Sequence, residues 1–375
     1  MPGLASRDHE AGGGGVMRLS IEKPGMFTTV QDLGRYGYQL QGVPVAGAMD
    51  GPALRLGNIL LGNHEGAAAL EITVLGPTLE VAEGEGCIVV TGADVGLTRN
   101  GEVLESWRVH RVRAGDALAF SAPSAGSRAY LCVSGGIDVP VVMGSRSTYV
   151  RGRFGGHGGR PLKAGDSLRT GRPDVLWADS EGLELPFALR PQRDPEAPLR
   201  VVPGPQDDAF TPVGLRTFLS AEYAISASAD RMGYRMEGPV VEHVAGPDIV
   251  SDAIVLGSVQ VPGHGQPIVM LADRQTTGGY TKIATVCAVD IPVLAQRLPG
   301  QKARFSRISL SQALDLLRDE ARLYEEARLL RAAWRARPGP APCAPSGGPA
   351  PCALGGRLRV AVDGTVHTVE WERMD

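Results

Sequence analysis

The residues best suited to chemistry crowd into one stretch, Gln260 to Lys282, around the short apolar run Ile268 to Ala272. That run reads as a buried strand. At its C-terminal end follow Asp273, Arg274, Gln275, Thr276, Thr277, Gly278, Gly279, Tyr280 and Lys282. A strand ending in so many hydrogen-bonding groups loses stability unless a ligand or an internal network satisfies them. The plainer alternative is a polar turn between two strands. Gly278 and Gly279 allow a sharp turn or the close approach of the backbone to a bound molecule. Arg231, Arg235 and Arg274 carry the planar fork that grips a carboxylate at two points. Gln260, Gln266 and Gln275 each offer an acceptor and a donor pair, matching an amide or ureido group. Lys282 can stabilise negative charge developing on a carbonyl oxygen. Asp230 and Asp273 are candidate general bases, although each also has a neighbouring arginine to pair with. For any one of these arginines and aspartates a structural ion pair is the commoner role, so the functional reading rests on the cluster.

The elements that must position this cluster read as mainly β with minor α. Leu19 to Pro24, Leu70 to Leu75, Gly86 to Thr91, Ala117 to Ser121 and Tyr130 to Val133 have strand character, with turn pairs such as Asn100-Gly101 between them. Asp50 is expected to cap a helix, since Pro52, Leu54, Ile59, Leu60 and Leu61 follow at helical spacing. In the second half, Leu199 to Val202, Ile249 to Leu256 and Ser258 to Val261 read as strands, and Asp208 as the cap of a short helix through Leu219. Two segments recur in the same order: Arg35-x-Gly37-Tyr38 as Arg231-x-Gly233-Tyr234, and Ile137-Asp138-Val139-Pro140 as Val289-Asp290-Ile291-Pro292. Their shared order indicates a duplicated β-rich unit. The expected organisation is a disordered N-terminus (1–16), a first domain (17–185), a proline-rich linker (186–198) and a second domain (199–308). An amphipathic helix (309–337) capped by Ser309 or Ser311, a low-complexity linker (338–356) and a C-terminal hairpin appendage (357–375) complete it.

At 375 residues the chain is long enough for two domains with sizeable cores. A net charge of -3 builds in no strong pull toward nucleic acid or anionic membrane. Fifty glycines and 28 prolines with only 5% aromatic residues suit a fold with many tight turns. No apolar run approaches the length that crosses a bilayer, and five scattered cysteines point to a reducing compartment, the cytoplasm by default. Cys87, Cys132 and Cys287 read as buried thiols. No GxxxxGK[ST], GxSxG or HExxH motif is present, and the Gly155 to Gly159 cluster reads as a flexible loop. No metal site is expected, and the scattered histidines read as surface or structural; His264 stands apart because it lies inside the polar stretch.

At these residues the chain resembles the biotin-dependent carboxyltransferase family, which includes the C subunits of 5-oxoprolinases, the allophanate hydrolase subunit 2 proteins and the carboxyltransferase region of urea carboxylase. The resemblance covers roughly Leu19 to Phe305 and rests on Thr28-Thr-Val-Gln-Asp-Leu-Gly-Arg35, Gly47-Ala-Met-Asp50, Thr91-Gly-Ala-Asp94, Gly135-Gly-Ile-Asp138, Pro203-Gly-Pro-Gln206, Asp230-Arg-Met-Gly-Tyr234 and Ala272-Asp-Arg-Gln-Thr-Thr-Gly-Gly-Tyr280, among others. It implies two cyclophilin-like β-barrel domains and a substrate cleft between or upon them. In stand-alone bacterial members it implies hydrolysis of 5-oxoproline to glutamate with subunits A and B, driven by ATP that these partners help to bind. The alternatives it leaves are a carboxyltransferase acting on urea or a related amide, and a regulatory protein antagonising a sporulation-kinase inhibitor. An Ala-Met-Lys-Met biotin-accepting segment is missing, so no covalent biotin is expected on this chain. The site expectation is that Lys282, Gln275 and Asp230 serve catalysis. Arg231, Arg235, Gln260, Gln266, Arg274, Thr276, Thr277, Gly278, Gly279, Tyr280 and, from the first half, Asp50 are expected to hold a small-molecule substrate.

Overall fold

A computed structural model describes residues 15–174, 176–192 and 194–337, with the backbone of two further strands, Gly355–Val362 and Thr365–Glu372. The first half spreads its strands over a seven-stranded and a five-stranded sheet. The central strands of the first sheet are Arg18–Lys23 and Thr78–Glu83; those of the second are Ala69–Thr73, Ala125–Val133 and Glu85–Asp94. One core lies between them, with Leu19, Ile21, Leu79 and Val81 from one sheet packed against Leu70, Ile72, Ile88, Val90 and Leu131 from the other. This is the alternation of inward apolar residues that the strand pattern calls for. The second half forms an eight-stranded sheet in the order Lys302–Ala303, Tyr223–Ile225, Gly233–Glu237, Ile268–Met270, Ser258–Gln260, Lys282–Val286, Leu199–Pro203 and Phe305–Arg307. Its core holds Val201, Phe218, Tyr223, Val259, Val269, Leu271 and Phe305. The fold is thus mainly β. The two halves form one compact unit that ends at Arg335, and Met49 of the first half packs into the core of the second.

Helix α1, Gly51–Leu61, starts where Asp50 accepts a hydrogen bond from the Ala53 amide at 3.1 Å, with Pro52 in the first turn, and ends at Gly62 with φ +73°. It is buried along most of its length against the five-stranded sheet. Helix α2, Pro212–Ser220, departs from expectation: Thr211 caps it, through the Gly214 amide at 2.9 Å, while Asp207–Ala209 form a separate 3-10 turn. Pro212 sets the helical φ at the first position, which places the cap one residue before it. Helix α3, Ile291–Ala295, is short. Helix α4, Leu310–Arg335, begins with Ser309 and Gln312 in a reciprocal cap, Ser309 N donating to Gln312 Oε1 at 2.8 Å and Gln312 N to Ser309 Oγ at 3.2 Å. It buries Tyr324 and Ala327 against α1, while Leu310, Leu314 and Leu317 stay exposed.

The repeat is visible as paired burial more than as paired structure. Arg35 and Arg231 are both buried, and Asp290 holds Arg200 as Asp138 holds Arg146. Gly37, however, sits at φ +95° in a loop, whereas Gly233 begins a strand. Outside the compact unit, Gly355–Val362 and Thr365–Glu372 pair antiparallel, as the alternation around Asp363-Gly364 predicts. The expected disorder of the N-terminus lies outside the described residues, as does most of the 338–356 linker.

Candidate functional site between the two halves

The expected site residues do not converge on one cleft; they fall in three places, with the rest serving locally. The first is a buried polar seam where the halves meet. Arg231 donates from Nε and Nη2 to the two oxygens of Asp273, at 3.1 and 2.9 Å, from Nη2 to Gly47 O at 2.6 Å, and from Nη1 to Glu71 Oε1. Glu71 Oε2 accepts from the Tyr130 hydroxyl at 2.7 Å and from the Met49 amide at 2.8 Å, and Tyr130 accepts from the Asp50 amide at 2.7 Å. Arg231, Glu71, Asp273, Tyr130 and Asp50 are all buried. Burial alone would lower the Arg231 pKa, but Asp273 and Glu71 together hold it above the ordinary guanidinium value. Burial raises the Asp273 carboxyl despite that arginine, and burial beside Glu71 raises the Tyr130 phenol well above its usual range. Arg231 therefore joins the halves with all three of its nitrogens donating, two of them to the carboxylate of Asp273 and one to Glu71.

The second place lies three strands away across the sheet. Gln260 pairs with both Ile268 and Lys282, and Ile268 with Arg235, so these four share one cross-strand row. Lys282 is buried, and its Nζ reaches the carboxylate of Asp252 at 2.8 Å; its amide donates to Gln206 Oε1 at 3.2 Å. The hydrogen bond from Lys282 holds the Asp252 carboxyl below its usual range. Asp252 belongs to an outlying ribbon in which Asp248–Ala253 pairs with Thr277–Tyr280. Gly278 and Gly279 are thus strand residues, not a turn. A Cβ at Gly278 would lie 2.5 Å from Ile254 Cδ1 and 2.8 Å from Gln260 Nε2, so the glycine is there to let the ribbon close over Gln260. Tyr280 and Thr277 face outward, and the carbonyl of Thr276 accepts from the Ile254 amide at 3.0 Å.

The remaining residues serve locally. Asp230 is exposed and closes the turn that follows it, accepting from the amides of Met232 and Gly233 at 2.8 and 3.2 Å. Gln266 locks onto Gly238 through both ends of its amide, and Arg235 is exposed. Arg274 donates to the carbonyls of Ile254 and Leu271 at 3.3 and 3.2 Å, and burial lowers its pKa. Gln275 is half-buried beside it. His264 accepts from the Gln266 amide at 3.1 Å.

Asp50 leads to the third place, an interdomain cavity of about 450 Å³, within the range of small-molecule sites. Asp50, Asp94, Trp107, Gly126, Gln296 and Arg297 are among its walls. Gln296, at the end of α3, is the pin that holds the halves in register here. Its Oε1 accepts from the Ser127 and Arg128 amides at 2.8 and 2.9 Å, and its Nε2 donates to Asp50 Oδ2 and Arg128 O, both at 2.9 Å. Beside it Gly126 sits at φ +80°, and a Cβ there would come within 2.7 Å of Gln296 Oε1. Trp107 holds φ +63°, a conformation that a bulky side chain adopts only under constraint, and such strain clusters at ligand sites. Asp94 accepts from Ser124 Oγ at 2.6 Å. A second cavity of about 590 Å³ is lined by Tyr36, Arg55, Ala272 and Tyr324. Asp32, by contrast, ties its own turn to a distant loop, accepting from Gly34 N and from Ser145 Oγ and Arg146 N at 2.6 to 2.8 Å. Sequence reasoning missed Gln296 and Arg297; the signal was a Gln-Arg pair closing the apolar run Ile291 to Ala295.

The chain is thus a two-half, mainly β unit with a polar seam and a cavity at the join. The chain belongs to the carboxyltransferase domain family, subdomains A and B, whose pattern matches residues 41–307. It is 39% identical over 320 residues to the C subunit of 5-oxoprolinase from Escherichia coli, covering 84% of this chain and 98% of that protein. It is 34% identical over 317 residues to the urea amidolyase of Lachancea kluyveri, but spans only 17% of that protein. Among solved structures, the urea carboxylase of Kluyveromyces lactis superposes with a TM-score of 0.78 at 29% identity, over 86% of this chain and 30% of that one.

Proposed function

We propose that the chain is the C subunit of an ATP-dependent 5-oxoprolinase, hydrolysing 5-oxoproline to L-glutamate with subunits A and B in the cytoplasm. The observation that carries this reading is end-to-end similarity. The 5-oxoprolinase C subunits of Escherichia coli and Haemophilus influenzae are each 39% identical and are covered over 98% and 94% of their lengths, whereas the urea-processing relatives are covered over 17 to 25%. The interdomain cavity supports it chemically, since aspartates, an arginine and a hydroxyl at its walls suit a small lactam with an N–H, a carbonyl and a carboxylate. A lactam is resonance-stabilised, so hydrolysis coupled to ATP is reasonable: a phosphorylated lactam oxygen makes the carbonyl open to water. The sequence carries no P-loop motif, in keeping with ATP being bound with the help of the partner subunits. The test is reconstitution. The chain mixed with its A and B partners should release glutamate, ADP and phosphate from 5-oxoproline and ATP, and each omission should stop it. No glutamate from the three together, or consumption of urea and carboxybiotin instead, overturns the proposal. Tight binding to a B-type partner with no turnover in any mixture would favour a regulatory role.

A further inference from the structure

We infer that Arg297 recognises the substrate carboxylate in the interdomain cavity, and so sets the preference of this site for an acidic lactam over an uncharged amide. This role rests on 5-oxoproline being the substrate of the cavity. Arg297 is only 3% exposed and lines the cavity. Its guanidinium meets neutral groups: Nη1 donates to Lys302 O at 3.1 Å, Nη2 to Ala197 O at 2.7 Å, and Nε has no partner among the described residues. Burial lowers its pKa, and Glu196, Asp194 and Asp290 offset this only from a distance. A buried cation without a carboxylate in contact is costly, and an arriving anion repays part of that cost. Arg231 is the contrast, since two carboxylates already saturate it. Arg35 and Arg128 are also buried without a carboxylate in contact, but Arg35 lies over the Phe154 ring at 4.8 Å, Arg128 donates to Tyr234 and Ala295, and neither lines this cavity.

The rest of the cavity wall complements the arginine. Asp94, which is exposed, is an acceptor suited to the N–H of a lactam, while Asp50 beside it already accepts from the Ala53 amide and from Gln296. A molecule with an N–H at one end and a carboxylate at the other satisfies both sides. Urea offers N–H groups to Asp94 but only a neutral carbonyl oxygen to Arg297.

The first experiment uses the unaltered complex of all three proteins, with 2-pyrrolidinone, the same ring without its carboxylate, competing against 5-oxoproline. The neutral lactam should compete on the order of 10- to 100-fold more weakly than 5-oxoproline binds, the range for losing a hydrogen bond to a charged group. Equal competition overturns the inference. In Arg297→Gln the KM for 5-oxoproline should rise by a similar factor, on the order of 10- to 100-fold, with kcat little changed and Arg297→Lys in between. An unchanged KM in a folded Arg297→Gln complex also overturns it. Should the variant fail to fold, having lost its hold on Ala197, the competition with the unaltered complex decides alone. Should the complex release no glutamate at all, the functional reading falls, and calorimetry of 5-oxoproline with the isolated full chain still judges Arg297. Binding that Arg297→Gln abolishes supports its role; binding that the variant retains, or no binding by the unaltered chain, removes it.

Discussion

Replacing Arg231 by methionine separates a seam residue from a substrate clamp. The substitution keeps the length and apolar stem of the side chain but leaves Glu71 and Asp273, both buried, facing each other without a cation. Removing one partner of a buried ion pair costs roughly 3–5 kcal/mol. Each kcal/mol moves the melting temperature of a chain this size by about 2 °C, so a fall of roughly 6–10 °C is expected. The pH dependence gives the sharper signature. Asp273 already has its carboxyl raised by burial with the arginine in place, and without Arg231 it must rise further. A carboxyl whose folded pKa lies above its unfolded value favours folding when protonated, and that contribution disappears as pH climbs through the folded value. The deficit of the variant should therefore be largest near neutral pH and shrink toward pH 5. Melting followed by circular dichroism at several pH values measures this directly. A variant that melts with the unaltered protein at every pH, yet loses turnover through KM, would show that Arg231 grips substrate and that the seam is not what holds the halves together.

Gln296→Leu should destabilise by about 2–4 kcal/mol, since it strands two buried amides, a carbonyl and the Asp50 carboxylate; chemical denaturation checks it, and a change below about 1 kcal/mol would remove Gln296 as the pin. Gly278→Ala should cost about 1–3 kcal/mol by overpacking Ile254 and Gln260, with faster amide exchange in the 277–280 strand as its mark. Lys282→Met should raise the Asp252 carboxyl toward its ordinary range, because the hydrogen bond that lowers it is gone; a carboxylate titration by nuclear magnetic resonance that shows no upward shift would break the assigned contact. If Lys282 and Gln275 act in catalysis, Lys282→Ala and Gln275→Ala should abolish turnover with little change in melting temperature, whereas a large fall would mark them as structural. Burial pushes the Cys87 thiol up to about 12, so alkylation at pH 8 should proceed only after unfolding.

Much of the scaffold was legible because its signals are local. Asp50 with Pro52 and a helical run announces a capped helix, and Ser309 with Gln312 announces another. The strands followed from alternation, and the shared order of two motifs pointed to a duplicated β unit. Asp208 misled because aspartate is a good cap in isolation, while Pro212 moved the start of the helix to Thr211. Gly278-Gly279 misled for a similar reason. Glycine serves turns and close packing alike, and only the partner at 2.5 Å shows which.

The functional cluster was legible in composition and illegible in geometry, because proximity along the chain is not proximity across a sheet. Arg231 leads into the Gly233–Glu237 strand and Lys282 opens the Lys282–Val286 strand, and the Ile268–Met270 and Ser258–Gln260 strands stand between these two. At about 4.8 Å per strand, groups that look clustered in sequence are divided among separate surfaces. What the first half contributes is equally invisible to local reading: Glu71, Tyr130 and Asp94 are ordinary strand residues until the second half brings Arg231, Gln296 and Arg297 against or beside them. The join selects the chemistry. Arg231, buried against two carboxylates, stabilises the pairing of the halves, whereas Arg297, buried against neutral carbonyls, retains an unmet attraction for an anion. Arg128, a third buried arginine at this join without a carboxylate in contact, donates to Tyr234 and Ala295 and does not line the cavity, which leaves Arg297 as the one a substrate acid can use.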